Sequence, residues 1–210
     1  MPYLPVSRPN KLPPHVSATV DRLERYYLEE VHVMLRLPIA NYRLASTCTF
    51  SCAQTLLAVI GGISTMLYAH RDGSPGKDFK DMLVDFYPWD QEPTAGVMPA
   101  EGAKIMYEVF RNPLAHNLGA HLRRKPATPK IKIKRGGRGR GQKDGLTEEM
   151  IERLEREPRP RMSAVVTVRP GDATVLFVEP LFWGVRVMVS RLLKDEPRMA
   201  KAESFLANGV

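Results

Sequence analysis

A chain of 210 residues, 43 % of them hydrophobic, has the length of one domain and enough apolar surface for a core, which excludes global disorder. Its two cysteines, Cys48 and Cys52, exclude a disulfide framework and fit a reducing, cytoplasmic setting. The net charge of +8 is local: His121 to Lys143 holds ten Lys or Arg and no acid, leaving 21 basic against 23 acidic residues elsewhere. A patch of that kind attracts phosphate backbones or anionic lipid headgroups, by a term that fades with salt.

Residues 1–16 are rich in proline, lack the apolar stretch of a secretory signal, and read as a segment extended over the surface. A helix is expected after Ser17, where Val20, Leu23, Tyr27, Val31 and Met34 recur at helical spacing, ended or kinked by Pro38. Leu44–Ala69 is 26 residues without a formal charge, but eight are Ser, Thr or Gln and Gly61-Gly62 interrupts it. A spanning helix needs about 20 predominantly apolar residues. No membrane span is expected, and a helix over 39–68 is read as the central, many-sided helix of a bundle. A shorter helix, Lys77 to Phe86, precedes a polar loop from Trp89 to Gly96. A fourth helix opens near Pro99 and carries Ile105, Met106, Val109 and Phe110 as one apolar stripe. Lys130–Lys134 alternates with period two, as a strand exposed on one face does. Thr147 is placed to cap a short charged helix to Glu155. The runs Ala164–Val168 and Thr174–Val178 read as a hairpin, Pro180 as the start of an amphipathic helix to Leu193, and a last short helix closes the chain. The expected fold is mainly α: four to five helices with a small β insertion and a basic loop before the last long helix. Residues 17–120 form the bundle, 121–145 the loop, and 146–210 complete the same domain.

The sharpest feature is Phe110-Arg111-Asn112-Pro113-Leu114-Ala115-His116, where four residues separate an arginine from a histidine at a helix end. It resembles the signature of HEPN domains, helical bundles many of which are metal-independent endoribonucleases. Their pattern is Arg, a polar residue that is often Asn, then His after four to six intervening positions. The resemblance covers these residues and the bundle plan around them, not the β insertion. It implies that Arg111, Asn112 and His116 are catalytic and that two copies of the chain pair so that both motifs line one cleft, a homodimer. Some HEPN toxins carry a tyrosine two positions after the histidine; Leu118 stands there, so control by modification of that residue is not implied.

The residue types suit the chemistry. When the ribose 2′-OH attacks its own phosphorus, a group with near-neutral pKa must move or position a proton, and a fixed cation must sit beside the phosphorane oxygens. Positions five apart in an unbroken helix lie about 140° apart around the axis. Pro113 disfavours helical geometry at Asn112, so a break there is expected to bring Arg111 and His116 towards one surface. A structural reading stands beside it: Arg111 as a cation over helix C-terminal carbonyls, His116 as a satisfied histidine on a packed face. His121 reads as an exposed loop residue or an extension of the site.

Arg123, Arg124, Lys125, Lys130, Lys132, Lys134, Arg135, Arg138, Arg140 and Lys143 form the candidate nucleic-acid-binding arm, directly after the motif. Its Arg-Gly run also resembles RGG-type RNA-binding segments. No Walker A pattern, Gly-x-Gly-x-x-Gly or Gly-x-Ser-x-Gly is present, and Cys48 and Cys52 lack a histidine partner, so no cofactor or metal is expected. The mixed charges of Glu148 to Arg156 read as a solvated helix face. Three functions follow as expectations: an HEPN-like endoribonuclease acting on RNA, a non-catalytic nucleic-acid-binding bundle, and a helical scaffold or antitoxin-type partner of an acidic protein.

Overall fold

The computed structural model describes residues 2–37, 48–69, 74–93, 97–117, 130–136, 145–168 and 173–208, and the fold is mainly helical with one small sheet. The first rod runs α1 (Pro14–Leu23), a π-helical turn (Glu24–Leu28) and α2 (Glu29–Arg36). It begins four residues earlier than the spacing suggested, because Pro14 takes the first helical turn, where its missing N–H costs nothing. Next come α3 (Cys48–Ile63) with a π turn (Ser64–Ala69) and α4 (Pro75–Phe86). After a short 3-10 turn (Trp89–Gln91) come α5 (Pro99–Ile105), a third π turn (Met106–Arg111) and α6 (Asn112–Asn117). The chain then gives β1 (Lys130–Lys134), α7 (Glu148–Glu155), β2 (Val166–Val168), β3 (Ala173–Phe177), α8 (Val178–Leu193) and α9 (Glu196–Ala207). Thr147 caps α7 by accepting the Met150 N–H, as its position suggested.

The sheet has the order β1-β3-β2, with β2 antiparallel to β3 as the hairpin reading required. β1 joins the other edge of β3, parallel to it, pairing Lys130 with Ala173 through Lys134 with Phe177. Ile131 and Ile133 pack on the core while Lys132 and Lys134 are exposed, so the period-two pattern of β1 is met.

One expectation is corrected: α8, read as amphipathic, buries every residue except Arg191 and is the most deeply buried helix. Gly184 is what lets it pack so closely: a Cβ there would come within 2.3 Å of the Tyr87 ring. Cys48–Tyr68 is long and apolar enough by length and composition to cross a membrane, but half of that window is buried, with α3 packed on α2 and α8. It presents Ser51, Gln54 and Thr65 outward. Of the two cysteines only Cys52 is fully in the core, where burial pushes its thiol up to about 12.

Residues 2–13 hold no regular structure and run over the surface as expected, with Val6 buried and Tyr3 and Leu4 half-buried where the segment is tied down. The Arg186 guanidinium, 4 % exposed in the middle of α8, donates to the hydroxyl of Tyr3 and to the carbonyls of Leu4 (2.7 Å) and Glu155 (3.2 Å). It also stacks on the Tyr3 and Phe182 rings. Glu155 in turn accepts the Leu4 N–H at 3.1 Å and lies 2.7 Å from Nδ1 of His32. Glu24 accepts from the Tyr3 hydroxyl at 3.3 Å and from the Val6 N–H, and pairs with Arg8. A second buried set joins Glu92 to Arg159 (3.1 Å), the Val165 N–H (3.0 Å) and the Tyr87 hydroxyl (3.2 Å). Burial raises the Glu92 carboxyl above the ordinary range despite Arg159.

Arg186→Ala is expected to cost about 3 kcal/mol by denaturant unfolding, since it strands Tyr3 and several buried carbonyls. Arg186→Lys should restore less than half, a point charge being unable to span those acceptors. Full stability in either variant would show that the N-terminal segment is not held this way. A second expectation concerns pH. Burial pushes the Tyr3 hydroxyl up to about 12 and raises Tyr68 and Tyr87 as well, Asp85 and Glu92 adding to the shift in those two. The stability these groups contribute is intact below the ordinary tyrosine value of about 10 and is lost as pH climbs through their raised values. An absorbance titration at pH 11 should therefore leave at least three of the seven tyrosines protonated until the chain unfolds.

Candidate functional site around Arg111

The motif helix is built from an apolar ladder. Met106, Phe110 and Leu114, four residues apart, are buried, while Ile105 and Val109 pack half-buried beside them. At Gly102, where a Cβ would come within 2.5 Å of the Trp89 ring, α5 sits close against the preceding segment.

The break expected at Asn112-Pro113 is not there. Asn112 has φ −64° and ψ −48°, and its N–H reaches the Tyr107 carbonyl, five residues back. That π-type bond explains how proline is accommodated. In tight α geometry the Pro113 ring would collide with the carbonyl four residues earlier, and its absent N–H would leave that carbonyl without a partner. A turn widened to five-residue bonding immediately before the proline relieves the crowding, and helical dihedrals continue into α6. Positions 111 and 116 therefore stand on continuous helical backbone, and no kink brings them together. His116 belongs to α6; its side chain lies outside the described residues.

Arg111 is half-buried. Its Nη1 donates to the side-chain oxygen of Asn112 at 3.0 Å, and its guanidinium lies 5.5 Å from the centroid of the Tyr107 ring. Among the described residues no carboxylate lies within ion-pair distance of it and no helix-end carbonyl accepts from it. The Tyr107 ring is seated by α4. It packs on Phe79 at 5.3 Å, and Gly76 leaves room that a Cβ, 2.5 Å from the Tyr107 hydroxyl, would close. Lys80 of α4 leans on the same ring at 5.6 Å, with Glu108 3.8 Å from its ammonium. One tyrosine thus supports two cations, and one of them is held only by neutral groups.

The role imagined for Arg111 as a helix-end cation is filled by Arg135. Grouped by sequence with the binding arm, Arg135 is 5 % exposed and caps α2, donating to the carbonyls of Leu35 (2.5 Å) and Leu37 (3.2 Å). Its own carbonyl accepts the Glu179 N–H at 2.8 Å. The same end of α2 holds the chain where it re-enters at Gly145, which approaches the Arg36 carbonyl so closely that a Cβ would sit 1.8 Å away, and Leu146 donates to the Leu35 carbonyl. Arg135 is therefore a structural cation.

Of the other arm residues, Lys132 and Lys134 lie exposed on β1, and Lys130 opens that strand with its side chain outside the described residues. Arg123, Arg124, Lys125, Arg138, Arg140 and Lys143, with Leu118 and His121, also lie outside them. Sequence reasoning missed Tyr107, although its place four residues before Arg111 is the spacing at which helical side chains meet. Lys80 comes from another helix, and nothing in the chain order signals it. No family model matches the chain, and neither the curated proteins nor the solved structures contain a match.

Pro113→Ala should change stability by no more than about 1 kcal/mol, although proline in a regular helix interior costs about 3. The π turn already absorbs its ring. Thermal unfolding measures this; a gain near 3 kcal/mol would mean that Pro113 strains the helix after all.

Proposed function

We propose that the chain is an HEPN-like, metal-independent endoribonuclease in which Arg111 and His116, from two paired copies, line one cleft. The observation that carries this reading is the state of Arg111: a half-exposed guanidinium without an acidic partner among the described residues, aimed by Asn112 and Tyr107. Arginines kept for stability normally satisfy their charge, as Arg135, Arg159 and Arg186 do here with carbonyls or a carboxylate. Among the described residues Arg111 makes a single side-chain hydrogen bond and stays half-exposed, so its remaining donors are open to an incoming anion.

In this reading the ribose 2′-oxygen forms a bond to phosphorus and gives its proton to a base. The bond from phosphorus to the 5′-oxygen breaks, and that oxygen takes a proton, leaving a 2′,3′-cyclic phosphate and a 5′-hydroxyl. His116 is the proton-handling group. Arg111 faces the non-bridging oxygens as their charge grows, and Asn112 fixes its fork. Positions 111 and 116 lie about 140° apart on continuous helical backbone, so a second copy of the motif is what completes the cleft. The lysines of β1 and the basic arm hold the strand by counterion release.

End-labelled RNA in EDTA should be cleaved to cyclic-phosphate ends. His116→Ala should abolish the cleavage, and Arg111→Ala should slow it about 10²–10³-fold. Cleavage that survives both substitutions, or that requires magnesium, overturns the reading. The exposure of Lys132 and Lys134 favours a second reading, a non-catalytic nucleic-acid-binding module, in which RNA is retained intact and the arm alone sets affinity.

A further inference from the structure

A second cationic site lies away from Arg111. The turn following α7 runs Arg156-Glu157-Pro158-Arg159-Pro160-Arg161, and it is pinned by Trp183 of α8, whose indole N–H donates to the carbonyls of Arg156 (3.2 Å) and Glu157 (3.3 Å). Between this turn, α7 and the first turn of α8 is a cleft of about 550 Å³. Arg153, Arg156, Arg159 and Arg161 line it, and Glu179 is the one acid among its lining residues. Met150, Leu154 and Met162, with the two prolines, supply its apolar wall.

These arginines differ in how firmly they are held. Arg159 has a side chain 10 % exposed, is fixed by Glu92, and lies 5.5 Å from the Trp183 ring; its Nε–H is buried with no acceptor. Arg153 and Arg156 are paired only with Glu149 and Glu152 one turn back on the exposed face, contacts that are released at little cost. Arg161 is exposed and has no ion pair among the described residues. Arg161, the weakly paired Arg156 and the unmet Nε–H of Arg159, whose terminal nitrogens are taken by Glu92 and the Met162 and Ser163 carbonyls, together offer guanidinium donors to a phosphate.

We propose that this cleft binds a nucleotide, its phosphate on Arg156, Arg159 and Arg161 and its base against Met150, Met162 and the prolines. The volume lies in the range that encloses a small ligand. Thioether and proline faces suit a flat ring. The inference stands apart from the nuclease reading, since none of its residues is Arg111, Asn112 or His116. The nucleotide is either free or one residue of an RNA strand.

The test is calorimetric titration of the full chain, in EDTA, with AMP, adenosine, inorganic phosphate and a 2′-O-methyl oligoadenylate that lacks the hydroxyl needed for cleavage. AMP or the oligomer should bind saturably, with adenosine and phosphate each at least tenfold weaker. Arg156→Ala and Arg161→Ala, both exposed positions, should each weaken binding at least tenfold at unchanged melting temperature. Tighter binding of AMP than of the oligomer identifies a free nucleotide as the ligand. The reverse order, with AMP competing, identifies a residue of a strand. Absence of saturable binding by both, or binding unaltered in both variants, overturns the proposal. So does hydrogen-exchange protection on binding that falls outside residues 150–162 and the start of α8.

Discussion

A guanidinium in the middle of a helix buried on all sides must find its acceptors somewhere off that helix. The helix has already used its own carbonyls, and water does not reach the position. Arg186 meets this constraint by gathering Tyr3, Leu4 and Glu155 around its terminal nitrogens. Three otherwise distant parts of the fold follow from that choice. The N-terminal segment is tied to the surface of the core. The end of α7 is fixed against α8. His32 of α2 is brought to Glu155, so the first rod is tied to the same point. The sheet and the α4–α6 layer assemble around a core whose polar centre is already committed.

The three π turns are a second constraint on the same architecture. Each continues or interrupts a rod that would otherwise be uniform α-helix, and the third carries Tyr107 and Arg111. A π turn adds a residue to one helical turn and rotates everything after it relative to everything before. In the motif helix this lets the ladder of Met106, Phe110 and Leu114 stay on the core while Pro113 remains inside the helix. It also sets Arg111 over the tyrosine ring that α4 supports. The geometry of the cation thus depends on α4 and Gly76 as much as on its own helix.

Much of this was legible in the sequence, and the failures have physical causes. The helices over 75–86, 99–110 and 148–155, the hairpin and the one-sided strand β1 all announced themselves by periodicity and caps. The full burial of α8 did not. Apolar residues all round mark a buried helix, but α8 includes Glu179, Arg186 and Ser190, whose partners come from other elements. The π turn at Tyr107 hid for a similar reason. Proline at position 113 reads as a break, because no local pattern signals that one turn earlier has widened. Arg135 sits in a run of Lys, Arg and Gly that reads as one solvated arm, and only the fold separates the buried cap from its neighbours. For the candidate site, Arg111 and Asn112 were visible as a pair, while Tyr107 and Lys80 required the packing of α4.

The clasp between Tyr3 and Arg186 spans 183 positions of chain. On a ribosome Tyr3 emerges long before the helix that carries Arg186, so it can meet Glu24 early but must wait for the guanidinium until the chain between them has been made. Contacts of such separation slow folding, because the loop entropy is lost before the contact rewards it. The parallel pairing of β1 with the later β3 repeats the delay for the strand beside the basic segment. Neither contact can form until β3 and α8 have been made, so both come late in folding.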